Sequence, residues 1–276
     1  MLRIKSLCMT LLCMAALLAG CASTQAHTTI SIVGSSSVEP LMTILTDQYQ
    51  ALHPEIAFDV QATGSSAGIK SARNGSTDIG MSSRELAPEE ASSDMAEDTL
   101  ALDGIAIVVH RENPIDQLTQ QQVTDIYNGT IRNWSELGGA DRPIVLLSRE
   151  AGSGTRDAFE GLLGLLVNHY STIAEDAAIY CDSTNSIAQN VADKTNAIGY
   201  VSLGSLGTDI KALRIDGVSC NEENIQNGAY PLARPFLLLI HPNDEERSAV
   251  LADFLAFTKS PEGQRSIWEE GFVPVP

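Results

Sequence analysis

Three times in this chain a strand-like run breaks into glycine with serine or threonine, and helical periodicity follows at once. The passages are TTISIVGSSSVEPLMTIL, IAFDVQATGSSAGIKSAR and RPIVLLSREAGSGTRDAFEGLL. Repeated strand–helix alternation of this kind predicts an α/β fold, with a mainly parallel sheet and helices on both faces. Further strands are expected at TDIGM, LDGIAIVVH, NAIGYVS and PFLLLI, and further helices at TQQQVTDIYNGT, SIAQNVADK and DEERSAVLADFLAFTKS. The polar stretch from Ala87 to Asp98 leans toward helix. LDGIAIVVH suits a central strand or one that carries the chain from one domain into the next. No low-complexity linker interrupts the sequence, so two domains here would be joined by crossing strands.

The three loops share a chemistry. A helix start presents unpaired N–H groups and the positive end of the peptide dipoles. Glycine lets a ligand approach the backbone, and serine or threonine hydroxyls add donors. Together these make an anion pocket. The candidates are Ser36 and Ser37, Ser65, and Ser153, Gly154 and Thr155, with Arg149 directly before the third loop as the cation. The plainer reading makes the serines N-caps and Arg149 a surface residue paired with Glu150 or Asp157. No Gly-Lys-Ser or Gly-Lys-Thr occurs, so the loops are not nucleotide P-loops. Gly64-Ser65-Ser66-Ala67-Gly68 also fits G-x-S-x-G, which would make Ser66 the nucleophile of a serine hydrolase, with His110, His169 or His241 as its base.

Residues 1–20 carry Arg3 and Lys5 and then an apolar run, the pattern of an export signal. Leu18-Ala19-Gly20-Cys21 resembles a bacterial lipobox, in which Cys21 is lipidated and residues 21–27 form a tether; an ordinary signal peptide is the alternative. Several acyl chains on one residue would hold the protein on a membrane. The chain has a net charge of −18, and losing Arg3 and Lys5 makes the mature protein more acidic still. That argues against nucleic acid as a partner, because phosphate backbones are bound by clustered lysine and arginine. Cys181 and Cys220 then remain as an even pair, expected as a disulfide, with two separate buried thiols as the alternative. No metal-ligand spacing and no cofactor motif is present.

VGSSSVEPL, QATGSSAGIK, GSTDIGMSSREL, ALDGIAIVV, IYNGTIRNWSELGG, SREAGSGTRDAF and NAIGYVS together resemble the phosphate-binding proteins of bacterial phosphate ABC uptake systems. The resemblance implies a two-lobed periplasmic binding protein fold of the class II type, with the ligand held between lobes joined by crossing strands. It places lobe 1 at residues 28–104 plus 235–276 and lobe 2 at 105–234. It implies that inorganic phosphate meets Ser36, Ser37, Ser65, Arg149, Ser153, Gly154 and Thr155. It also implies a permease as partner, a monomeric state, and no catalysis. Many members carry an aspartate where alignment puts Ser83; Ser83, Arg84 and Glu85 are therefore further candidates, with Glu150 a second carboxylate that could turn inward. Sulfate, molybdate or another oxyanion is the alternative ligand. Trp134 is expected to pack in the core.

Overall fold

The computed structural model describes residues 28–241 and 245–275; Cys21 and the expected signal lie outside them. Eight principal strands are β1 (Thr28–Gly34), β2 (Ile56–Ala62), β3 (Ile79–Ser82), β4 (Ala96–His110), β5 (Val145–Arg149), β6 (Ala178–Cys181), β7 (Ala197–Ser202) and β8 (Ala233–Ile240). The helices that carry the argument are α1 (Glu39–Leu52), α2 (Ser65–Arg73), α3 (Gln120–Tyr127), α4 (Gly154–Leu162) and α5 (Thr184–Asp193). Each forms for a legible reason. In α1, Leu41, Met42, Leu45 and Tyr49 repeat at helical spacing and bury one face, behind a proline in the first turn. Thr119 and Gln122 close a capping box on α3, which ends at Asn128-Gly129. β7 is buried at all six residues, as a strand covered on both faces must be.

The strands join in the order β2-β1-β3-β8-β4-β7-β5-β6. β1 runs parallel to β2 and β3, and β5 runs parallel to β6 and β7. Between these parallel blocks β8 pairs antiparallel with β3 and β4, and β4 pairs antiparallel with β7. The sheet is thus mixed where a mainly parallel one was expected, because two long strands cross between the blocks. β4 has 15 residues, enough to reach ~50 Å. Its first half pairs with β8 and its second half with β7, so it is the strand that carries the chain across. Its start absorbs part of the segment expected as helix: Ala96–Asp98 belong to β4, and residues 87–95 are turns and irregular chain.

Two hydrophobic cores flank this crossing. One gathers Ile30, Ile32, Leu45, Met81, Phe236 and Phe254 from β1, α1, β3, β8 and the helix Glu245–Thr258. The other gathers Ile107, Tyr127, Leu147, Phe159, Ile198 and Tyr200 from β4, α3, β5, α4 and β7, and Val273 joins it from the chain's far end. Trp134 is 2% exposed and donates from Nε1 to the Asn196 carbonyl at 2.9 Å, a packing role as expected. The expected Cys181–Cys220 disulfide is absent: both are buried free thiols. Cys181 ends β6, whereas Cys220 Sγ packs against Gly104 on β4, with β5 and β7 intervening. Three strand spacings amount to ~14 Å, about twice the widest Cα separation a disulfide spans.

Candidate functional site

Four strand–helix loops meet where the two cores face each other. Two approach from the first: Ser35–Ser37 after β1, and Gly64-Ser65 opening α2. Two come from the second: Gly152–Thr155 opening α4, and Ser183-Thr184 opening α5. Ser37 Oγ lies 2.8 Å from Thr155 Oγ1 and 2.9 Å from Thr184 Oγ1, so hydroxyls from both cores touch directly. Ser35 Oγ donates to Ser83 Oγ at 2.9 Å, and Ser83 N–H donates to Ser65 Oγ at 3.1 Å. Ser37, Ser65, Ser83, Ser153, Thr155 and Thr184 are each no more than 1% exposed. A buried assembly of hydroxyls at convergent helix starts is a set of donors aimed at one place.

Arg149, at the end of β5, supplies the positive charge and is 1% exposed. Nη1 donates to Thr184 Oγ1 at 3.1 Å and Nη2 to Ser36 Oγ at 3.1 Å. Nε and Nη2 also fork onto the two oxygens of Glu150, each at 2.8 Å. These bonds account for four of the five N–H donors a guanidinium carries, and they hold it flat against the hydroxyl cluster. Arg149 thus pairs with Glu150, as the plainer reading had it, yet it is buried and touches residues from both sides of the site.

The glycine at position 154 is a steric requirement. A Cβ there would overlap Ser65 Oγ, and Ser83 Oγ would stand 2.9 Å away, so α4 approaches α2 this closely only without a side chain. At the rim Ser66 N–H donates to the Gly152 carbonyl at 3.2 Å. Beside it Arg84 Nε donates to Asp157 Oδ2 at 2.8 Å across the same boundary, and Arg84 Nη1 and Nη2 grip Glu90 at 2.6 and 2.8 Å. Arg84 holds the Glu90 carboxyl below the usual carboxylate range, while burial raises that of Asp157 against the pull of Arg84.

The expected residues therefore divide. Ser37, Ser65, Ser83, Gly154, Thr155, Arg149 and the half-buried Ser36 meet in one cluster. Ser153 caps α4 instead, its Oγ accepting from Arg156 N–H at 3.3 Å. Arg84 binds carboxylates at the rim, and Glu85 is exposed. Glu150 is committed to Arg149. Thr184 is a member that the three-loop reading missed. Its signal was present: AIYC followed by DSTN repeats the strand, hydroxyl loop and helix start in a weaker form.

A model of the PBP superfamily domain matches residues 20–262. Phosphate-binding protein PstS of Bacillus subtilis is 31% identical, over 91% of this chain and 82% of that one. The chain belongs to the phosphate-binding proteins of this superfamily. Solved structures agree. A phosphate-bound protein from Clostridium perfringens, assigned as the substrate-binding protein of a phosphate ABC transporter, superposes with a TM-score of 0.85. It is 38% identical, with 90% of this chain and all of that one covered. An ABC-type phosphate transport receptor from Vibrio cholerae, also 38% identical, gives 0.75 over the same shares. The fold is the two-lobed binding protein fold, and the hydroxyl cluster lies between the cores of its lobes. The G-x-S-x-G passage reads differently in this setting: Ser65 enters the cluster, while Ser66 Oγ accepts from Arg84 at 3.4 Å, with a guanidinium where a hydrolase needs its base.

Proposed function

We propose that this protein captures inorganic phosphate between its lobes and delivers it to an ABC transporter permease, without catalysing a reaction. The observation that carries this is the meeting of four loops and one buried guanidinium at a single cluster of hydroxyl donors. The ligand set we assign is Ser36, Ser37, Ser65, Arg149, Gly154 and Thr155, with Thr184 added and Ser153 acting through its cap of α4. A bound phosphate exchanges hydroxyl–hydroxyl bonds for charge-assisted ones, which are shorter and stronger. Each guanidinium near the cluster already has a carboxylate: Glu150 for Arg149, and Glu90 and Asp157 for Arg84. The site and the acidic chain around it do not draw anions from afar, so affinity arises from desolvated hydrogen bonds after closure.

The lobe boundaries we assign are residues 28–104 plus 235–276 and residues 105–234. The separate cores support the division, although Val273 packs with the second. We assign lipidation to Cys21 on the lipobox resemblance alone, which would tether a monomer outside the cytoplasm beside its permease. Calorimetry with phosphate and sulfate side by side tests the ligand. Phosphate should bind more tightly; equal or stronger binding of sulfate would select the other oxyanion reading, which the family resemblance leaves open because Ser83 stands where it implies an aspartate.

A further inference from the structure

Where β4 and β8 cross between the lobes, Asp103 and Arg234 stand opposite each other in register. Asp103 is fully buried and Arg234 is 4% exposed. Arg234 Nε donates to Asp103 Oδ2 at 2.9 Å, and Nη2 lies 2.8 Å from the same oxygen. The remaining bonds of the pair run in opposite directions. Arg234 Nη1 donates to the Ser83 carbonyl at 3.1 Å, and Ser83 Oγ stands among Ser35 and Ser65 in the anion cluster. Asp103 Oδ1 accepts from Ser202 Oγ at 2.8 Å and from Leu203 N–H at 3.0 Å, at the end of β7 in the second lobe. Burial raises the Asp103 carboxyl and lowers the Arg234 guanidinium, and their mutual attraction opposes both.

A buried ion pair is weak evidence of stabilisation, because well-packed apolar replacements of similar volume often hold a fold equally well. This pair links the anion cluster on one side to the second lobe on the other. We propose that Asp103 and Arg234 are a positioning pair for the anion site: they fix Ser83, and through it Ser35 and Ser65, relative to the second lobe, so that the cluster assembles at one hinge angle. The inference rests on the phosphate reading above.

The double variant Asp103→Leu/Arg234→Met removes both charges together and avoids stranding either one. It should melt cooperatively near the wild-type temperature, while its calorimetric Kd for phosphate rises about tenfold or more. A purely structural role predicts the reverse, with altered melting and an unchanged Kd. Arg234→Lys gives a second measurement should the double variant not fold. An ammonium can face Asp103 but cannot also span to the Ser83 carbonyl as a guanidinium fork does, so Kd should rise several-fold. A wild-type Kd in the folded double variant, or in Arg234→Lys if that alone folds, would overturn the proposal. Wild-type protein that gives no heat with phosphate would instead sink the functional reading, and this inference with it.

Discussion

Arg149 holds three roles in one plane: it neutralises Glu150, orients Thr184 and Ser36, and presents charge to the cluster. Arg149→Ala removes the charge-assisted bonds and leaves an anion with neutral donors only. Its Kd for phosphate should rise at least about 100-fold by calorimetry. Thr184→Val keeps the shape of the side chain but removes the hydroxyl shared by Arg149 and Ser37. One hydrogen bond to a charged ligand accounts for about tenfold in Kd, and a Kd within twofold of wild type would remove Thr184 from the ligand set. At this scale the sequence was informative wherever chemistry is local. A hydroxyl beside a glycine at a helix start is legible as a donor, but whether it turns into the cluster, as at Ser65, or caps its own helix, as at Ser153, depends on neighbours distant in the chain.

Elements meet at two kinds of contact, one steric and one electrostatic. The starts of α2 and α4 come together because residue 154 has no side chain. Gly154→Ala should abolish the heat of phosphate binding, because the added Cβ meets Ser65 and Ser83 and keeps the starts of α2 and α4 from coming together. The Arg84–Asp157 bond joins the lobes at the rim, where partial exposure limits it to about 1 kcal/mol. Asp157→Asn should therefore speed phosphate dissociation by up to about fivefold in stopped flow, and high salt should shrink that difference. The Glu90 carboxylate that steadies Arg84 is depressed below its ordinary value of 4.5. Its stabilising contribution is therefore present above that pH and lost as pH falls through the depressed value. Acid unfolding of Glu90→Gln should lack that contribution. The strand–helix alternation was legible because each element buries its own periodic face, whereas the stretch from Ala87 to Asp98 misled because composition there favours helix while its end is taken up by pairing with β8.

For the whole molecule, two cores joined by β4 and β8 give a hinge whose ligand belongs to neither lobe alone. Phosphate at 100 times its Kd should stabilise the closed form by about 2.7 kcal/mol and raise the melting temperature accordingly. Small-angle scattering should report a smaller radius of gyration with phosphate than without it. No change in either quantity would exclude closure around this ligand.

The alternating elements, the loops rich in hydroxyls and the cation that ends β5 are all readable from the chain, because these follow from local spacing and residue chemistry. Tertiary structure decided which of those groups share a site. It brought in Thr184 from a fourth loop, left Glu85 exposed, and kept Cys181 and Cys220 apart across the sheet. It also set Asp103 against Arg234, residues 131 positions apart in the chain. Such pairings depend on strand order and register, which sequence neighbours do not encode, since only the assembled sheet fixes what stands beside what.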